Sequence, residues 1–102
     1  MEFHKFLSQD CRRQIISILL RRIPAKILAQ SLATSVAKLY SMRDGISEID
    51  DDSLRIMLML LNEEEKMILA LDIIPEMENA IKEAKKFFMY DEVNKIISSV
   101  RE

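Results

Sequence analysis

Glycine occurs once in this chain of 102 residues, at Gly45, and proline occurs only at Pro24 and Pro75. These two residue types most often interrupt regular structure, so a chain this poor in them has few places to turn. Its apolar residues recur mostly at intervals of three and four, which is the period of a helix, and strand-like alternation is scarce. The sequence therefore predicts an all-α fold.

Three short helices are predicted in the first half, where breaking and capping residues recur. They run from about residue 8 or 10 to about 22, from 24 to about 33, and from 35 to 43. Pro24 suits the first turn of a helix, where its missing N–H costs nothing. Ser35 can cap the third helix, and Gly45 can end it in the left-handed conformation.

Acidic residues mark the predicted helix starts in the second half. Residues 50–52 are aspartates at the start of the fourth helix, where they interact favourably with the helix dipole. Asn62 and Glu65 have the spacing of a capping box, which predicts the start of a fifth helix. Pro75 opens a sixth, and the apolar pattern after Asp91 fits either a kinked continuation or a seventh helix.

Helical spacing also predicts which side chains are buried. The main predicted core positions are Cys11, Ile15, Ile16, Ile18, Leu19, Ile27, Leu28, Leu32, Val36, Leu39, Met42, Leu54, Met57, Leu58, Leu61, Met67, Ile68, Leu71 and Ile74. Ala29 and Ala33 are small enough for two helices to cross closely between them. Met59 is off the main stripe and is expected to need a cover, from a second subunit or from the C-terminal helices.

One stretch carries a known pattern: Leu-Ala-x-x-Leu, a three-residue turn that ends in Ser, an apolar residue four positions later, and Gly six beyond that. The matching residues are Leu28, Ala29, Leu32, Ala33, Thr34, Ser35, Leu39, Met42 and Gly45. This stretch resembles the helix-turn-helix of the lambda-repressor-like (Cro/repressor, XRE-type) family. The resemblance covers about residues 8 to 74. It implies a five-helix DNA-binding domain over residues 1–74, followed by an acidic C-terminal helical extension over 75–102 for dimerisation or partner binding.

The charge distribution is asymmetric along the chain, although the formal net charge is only −2. The first 45 residues hold eight Lys and Arg against three acidic residues, whereas the remaining 57 hold seven against fourteen. Such asymmetry favours a polyanion-facing N-terminal part, and the alternative is a chance clustering of charges on solvated helix faces.

The resemblance also implies which residues would contact DNA. The residues that would face base edges are Ser35, Ala37, Lys38 and Ser41, and those that would bind phosphates are Arg21, Arg22, Lys26, Gln30 and Arg43. The third helix would then lie in the major groove, where serine and lysine can hydrogen-bond base edges.

Nothing in the sequence indicates catalysis, a metal or a cofactor. His4 is the sole histidine and is expected at the surface of a mobile terminus, and Cys11 is the sole cysteine, expected as a buried small hydrophobe. The aspartates at 50–52 lack the alternating spacing and central glycine of a calcium loop. We therefore expect a protein that is not an enzyme and has no catalytic residues and no cofactor.

The sequence as a whole predicts a small DNA-binding transcriptional regulator that binds double-stranded DNA as a homodimer. The apolar runs are too short for a membrane span and no signal-peptide pattern is present, so a cytoplasmic protein with no membrane partner is expected. Two alternatives stay open. One is an all-helical protein-interaction adaptor that does not bind DNA, and the other is an antitoxin that binds DNA and captures a protein partner through its C-terminal helices.

Overall fold

The computed structural model describes residues 3–88, which contain five α-helices, a short 3-10 helix and no strand. The 3-10 helix is Phe3–Phe6, and the α-helices are α1 (Gln9–Leu20), α2 (Ala25–Ser31), α3 (Val36–Arg43), α4 (Asp51–Leu60) and α5 (Glu63–Phe87). The all-α prediction is therefore confirmed for these residues. The chain divides into two compact units, Met1–Ala70 and Leu71–Glu102, and the predicted helix after Asp91 lies outside the described residues.

Helix α1 is the centre of the first unit. It packs against α3 and α4, while α3 also packs against α2 and the 3-10 helix packs against α4. The large side chains that are almost completely buried here are Ile15, Ile16, Leu19, Leu28, Leu39, Ile49, Leu54 and Met57. Removal of this apolar surface from water is the main term that stabilises the unit.

The predicted helix starts are confirmed by side-chain caps. The Ser35 hydroxyl accepts from the Lys38 backbone N–H at 3.0 Å, and the Asp50 carboxylate accepts from that of Ser53 at 3.3 Å. Hydrogen bonding from the Ser53 side chain, with a smaller contribution from this backbone bond, lowers the pKa of Asp50. Pro24 differs slightly from prediction, because its extended ψ of 143° makes it the residue before α2 rather than the first residue inside it.

Two turns of the same kind end α2 and α3. At the end of α3, the Ile46 N–H donates to the Ser41 carbonyl at 2.9 Å, and Gly45 has a φ of +80°. At the end of α2, the Thr34 N–H donates to the Ala29 carbonyl at 2.9 Å, and Ala33 has a φ of +54°. Both are Schellman motifs, in which a left-handed residue lets the chain leave the helix. The second contains alanine where glycine is usual.

The left-handed alanine leads to a stability prediction. For alanine, the left-handed conformation raises the free energy of the folded state by about 1–2 kcal/mol. Glycine avoids this strain, but the greater conformational freedom of glycine in the unfolded chain offsets roughly 0.5–1 kcal/mol of the gain. We expect Ala33→Gly to raise the free energy of unfolding by about 0.5–1 kcal/mol, measured by urea denaturation.

A matched variant provides the control for this prediction. Ala37 lies inside α3 and is exposed, so Ala37→Gly should lower the free energy of unfolding by about 0.5–1 kcal/mol. If Ala33→Gly also destabilises the protein, the conformation assigned to residue 33 is wrong.

Several predicted core positions are corrected by the structure. Ile27 is 50% exposed and Val36 36% exposed, because α2 and α3 are each covered on one side only, the side of Leu28 and Leu39. Ala33 is exposed in the turn instead of lying between crossing helices.

The predicted buried face of α5 also differs from the observed one. Met67 and Leu71 are 70% and 79% exposed, whereas Leu69 is buried one turn after the buried Glu65. Met59 of α4 is 76% exposed. Glu65 and Leu69 therefore define the inward side of the α5 residues that belong to the first unit.

The predicted helix break at Pro75 is wrong. Helix α5 continues through this residue, so no separate sixth helix starts there and residue 74 is not the end of a helix. Proline removes the bond that its N–H would have donated to the carbonyl four residues earlier, in Leu71. Leu71 and Pro75 are both exposed, so water can satisfy the carbonyl that the proline leaves unpaired.

A buried arginine connects three segments of the first unit. Arg12 is 5% exposed, and its guanidinium donates to the carbonyls of Leu7 at 2.9 Å, Ile49 at 2.7 Å and His4 at 3.4 Å. It also pairs with Asp51 at 2.9 Å. One side chain of α1 thereby holds the N-terminal segment and the loop before α4.

Candidate nucleic-acid interface

Helix α3 has one buried side and one open side. Leu39 and Met42 are buried, so they fix the helix against α1 and α2. The remaining side chains of its first two turns, together with the last residue, are exposed: Val36, Ala37, Lys38, Tyr40 and Arg43. A straight helix through residues 32–35 is excluded by the left-handed Ala33, so α3 starts in a new direction after α2.

The four predicted base-facing residues differ in their surroundings. Ala37 and Lys38 are fully on the open side of α3. Ser35 is exposed, but its hydroxyl oxygen already accepts the capping hydrogen bond from the backbone of Lys38. Ser41 is only half-buried, and its carbonyl accepts from both Ile46 and Ser47 at the end of the helix. Among the four predicted base-facing residues, Lys38 is therefore the one with a long, charged and solvent-exposed side chain.

The five predicted phosphate-binding residues separate into two groups. Arg21, Lys26 and Gln30 are exposed at the end of α1 and along α2. The guanidinium groups of Arg22 and Arg43, in contrast, are bound to carboxylates of this chain. Arg21, Lys26 and Gln30 can therefore bind an anion without first breaking an ion pair within residues 3–88.

Arg43 is held at the end of α3 by two contacts. Its Nε donates to the Asp44 carboxylate at 2.9 Å, and its guanidinium carbon lies 4.6 Å from the centre of the Tyr40 ring. The hydrogen bond raises the pKa of Arg43 and lowers that of Asp44. Tyr40 and Val36 contribute an apolar part to the open side of α3.

Arg22 forms a bidentate ion pair with Glu65. Its Nη2 lies 2.7 Å from Oε1 and its Nε 3.2 Å from Oε2, while Nη2 also donates to the Leu60 carbonyl at 2.8 Å. Glu65 and Asn62 also form the predicted capping box, with reciprocal bonds of 2.8 and 2.9 Å. The hydrogen bond from Arg22 lowers the pKa of Glu65 and raises that of Arg22.

The lowered pKa of Glu65 predicts a pH-dependent stability. Because the folded pKa is below the ordinary value of 4.5, this stabilisation is present above pH 4.5 and is lost as the pH falls through the folded pKa. Glu65→Gln removes the charge, so we expect it to lower the melting temperature clearly at about pH 7 and by a smaller amount at about pH 3, below the ordinary pKa.

Thermal unfolding followed by circular dichroism at both pH values tests this. Glu64→Gln, an exposed neighbour in the same helical turn, is the matched control and should have only a small effect at either pH. A melting-temperature difference for Glu65→Gln that is the same at both pH values would contradict the assignment.

The acidic residues at 50–52 are engaged locally. Asp50 caps α4, Asp51 pairs with Arg12, and Asp52 lies 3.7 Å from Arg55. They line an open pocket together with His4. The carboxylates are thus used in holding the start of α4.

The expectation of a surface histidine is wrong. His4 is 6% exposed, because the 3-10 helix packs it against α4. Its Nδ1 atom is buried and has no hydrogen-bond partner among residues 3–88. The buried Cys11 agrees with the prediction for that residue.

Comparison of the chain with protein-family models, curated proteins and solved structures found no match. Within residues 3–88, no three His, Cys, Asp or Glu side chains are grouped so as to hold a metal ion. No helix in that part of the chain combines the length and apolarity required to cross a membrane.

Proposed function

We propose that the protein is a small transcriptional regulator that binds double-stranded DNA with α2 and α3 as a helix-turn-helix. In such motifs the second helix enters the major groove while neighbouring residues contact the backbone. The observation that carries the proposal is the open side of α3, with Lys38 at its centre. Lys26 and Gln30 on α2 and Arg21 at the end of α1 are exposed as well.

The proposed contacts divide into two kinds. Lys38, with Ala37 and the Ser35 and Ser41 hydroxyls beside it, faces the bases. Arg21, Lys26, Gln30 and Arg43 bind phosphates and set the position of the protein on the duplex. Arg22 is the weakest member of the predicted phosphate set, since a phosphate would have to compete with Glu65.

Salt dependence of binding tests this proposal. Arg21, Lys26 and Arg43 would neutralise about three phosphates per chain, which gives a slope of roughly −3 per bound chain and roughly −5 per bound homodimer when log affinity is plotted against log salt concentration. The measurement is fluorescence anisotropy of a labelled random-sequence duplex with the full chain. A flat salt response, or no binding at low salt, would contradict the proposal.

A second candidate function is a protein-interaction adaptor, and one observation favours it. Ile27, Val36, Tyr40 and Ile46 are between 36% and 79% exposed on or beside α2 and α3. An apolar surface of this kind is typical of protein interfaces more than of DNA interfaces. An adaptor would show no salt-dependent binding to the duplex.

The proposed regulator binds as a homodimer, because a single short helix reads few base pairs and two-fold symmetric pairs are the usual solution. A partner protein captured by the C-terminal helices, as in an antitoxin, would compete with that dimer. Cytoplasmic localisation, and the absence of catalysis and of a cofactor, belong to the same proposal.

A further inference from the structure

The α5 residues of the second unit carry an exposed apolar row. Leu71 is 79% exposed, Ile74 50%, Ile81 54% and Phe88 71%, and the Phe88 N–H still donates to the Ala84 carbonyl in helical fashion. Single exposed apolar residues are ordinary, but several that share one side of a helix mark an interaction surface. We refer to this row, with the two charged residues that complete it, as the 71–88 seam.

The spacing of the seam is that of a coiled coil. Positions 71, 74, 78, 81, 85 and 88 are successive a and d positions of a heptad repeat, which is the pattern by which two helices pack along their length. Four of the six are apolar, with Leu71 at an a position and Ile74, Ile81 and Phe88 at d positions. The two intervening seam positions, 78 and 85, are occupied by Glu and Lys. The apolar seam thus has a charged residue of each sign at defined places.

These charged residues select the direction of pairing with an identical helix. In a parallel pair each seam residue meets its own copy, so Glu78 would face Glu78 and Lys85 would face Lys85. Like charges in contact are destabilising. In an antiparallel pair, Leu71 lies opposite Phe88, Ile74 opposite Lys85, and Glu78 opposite Ile81 of the other copy. Glu78 then lies close to Lys82 and Lys85 of that copy, so charges of opposite sign meet.

The charges outside the seam give the same direction. Outside the seam, residues 71–79 contain two acidic side chains and no basic one, whereas residues 80–88 contain two lysines and one glutamate. An antiparallel pair centred between residues 79 and 80 brings the acidic half of each helix alongside the basic half of the other. Lys82 flanks the seam at an e position, and the other charges act through the longer-range field between the two halves.

We infer that the 71–88 seam binds the same seam of a second copy of this chain in an antiparallel two-helix contact. This inference deepens the homodimer of the proposed function, but it concerns the chain without DNA. Its test therefore needs no nucleic acid, and failure of self-association leaves the DNA-binding measurement standing by itself.

Light scattering of the full chain at micromolar concentrations is the first test. We expect a mass twice the 11.9 kDa of one chain, and Ile81→Glu should reduce it to that of one chain. Ala80→Glu, an exposed neighbour off the seam, is the matched control and should leave the mass doubled. A monomeric wild-type chain, including one whose own residues 89–102 cover the seam, would overturn the inference.

Disulfide cross-linking in a Cys11→Ser background tests the direction. A chain with Leu71→Cys and a chain with Phe88→Cys, of different tag length, should cross-link to each other on mixing, and neither should cross-link to itself. The reason is that two copies of residue 71 would be about 25 Å apart in the antiparallel pair. Self-cross-linking of Leu71→Cys would show a parallel pair and overturn the proposed direction. Circular dichroism of each variant checks that it is folded.

Discussion

Arg12→Met is expected to lower the free energy of unfolding by about 3 kcal/mol, which in a domain of this size lowers the melting temperature by roughly 15 °C. The guanidinium satisfies the buried Leu7 carbonyl and shares the Ile49 carbonyl with Gln9, whose Nε2 donates to it at 3.1 Å; methionine fills a similar volume without donating to either. The Leu7 carbonyl left without a donor costs about 1–3 kcal/mol, and loss of the bond to Ile49 and of the ion pair with Asp51 adds to this. Since small domains are stable by only about 5–15 kcal/mol, this single substitution removes a large part of the total.

The matched control for this experiment is Arg55→Met in α4. Arg55 is exposed and its only recorded ion pair within residues 3–88, with Asp52, is long at 3.7 Å. Exposed pairs of this kind contribute about 0–1 kcal/mol, so the control should melt close to the wild type. If both variants melt at the same temperature, Arg12 does not hold the N-terminal segment and the loop before α4 in the way described.

Lys38→Glu is expected to weaken DNA binding by about 100-fold or more while leaving the fold intact. Loss of one base-edge or phosphate contact costs about 1–3 kcal/mol, and the reversed charge adds repulsion from the phosphates. Because the Lys38 side chain is on the open side of α3 and only its backbone takes part in the cap, the melting temperature should change little. Anisotropy titration of a labelled duplex at low salt measures the effect.

Lys66→Glu is the control that separates a local contact from net charge. It makes the same change in total charge, at an exposed position of α5 where the lysine pairs with Glu63 at 3.2 Å. We expect less than about a threefold loss of affinity, from the longer-range field alone. Equal losses for the two variants would mean that binding is diffuse and does not pass through α3.

Local features of the fold were predictable because they depend on residues close in sequence. Ser35, Asp50 and the Asn62–Glu65 pair cap helices through bonds that span three residues. The end of α3 at Gly45 has the same local origin. A cap or a turn is set by the side chain and the backbone next to it, so its signal survives without knowledge of the rest of the fold.

The choice of buried face was less predictable because it depends on distant partners. Apolar spacing alone allowed α5 to bury Met67 and Leu71, but Glu65 is held by Arg22, which is 43 residues away, and this turns Leu69 inward instead. Arg12 gave no apolar signal at all, since a buried arginine is stabilised by carbonyls that only the folded chain brings together.

The candidate site also combines features set by neighbouring residues with features set by distant ones. The cap at Ser35 was predictable and gives α3 its start, whereas Ala33 was expected between crossing helices and instead forms the left-handed turn. Which cations remain available was not predictable, because Arg22 and Arg43 are engaged by Glu65 and Asp44 only in the folded chain.

Amide chemical shifts of the ¹⁵N-labelled full chain test whether DNA contacts the open side of α3. On titration with a random-sequence duplex, we expect the largest shifts at Lys38 and its neighbours in residues 34–43, with further shifts at Lys26 and Gln30. The amides of residues 71–88 should stay nearly unchanged. Shifts concentrated in residues 71–88, or none anywhere at saturating duplex, would contradict the account.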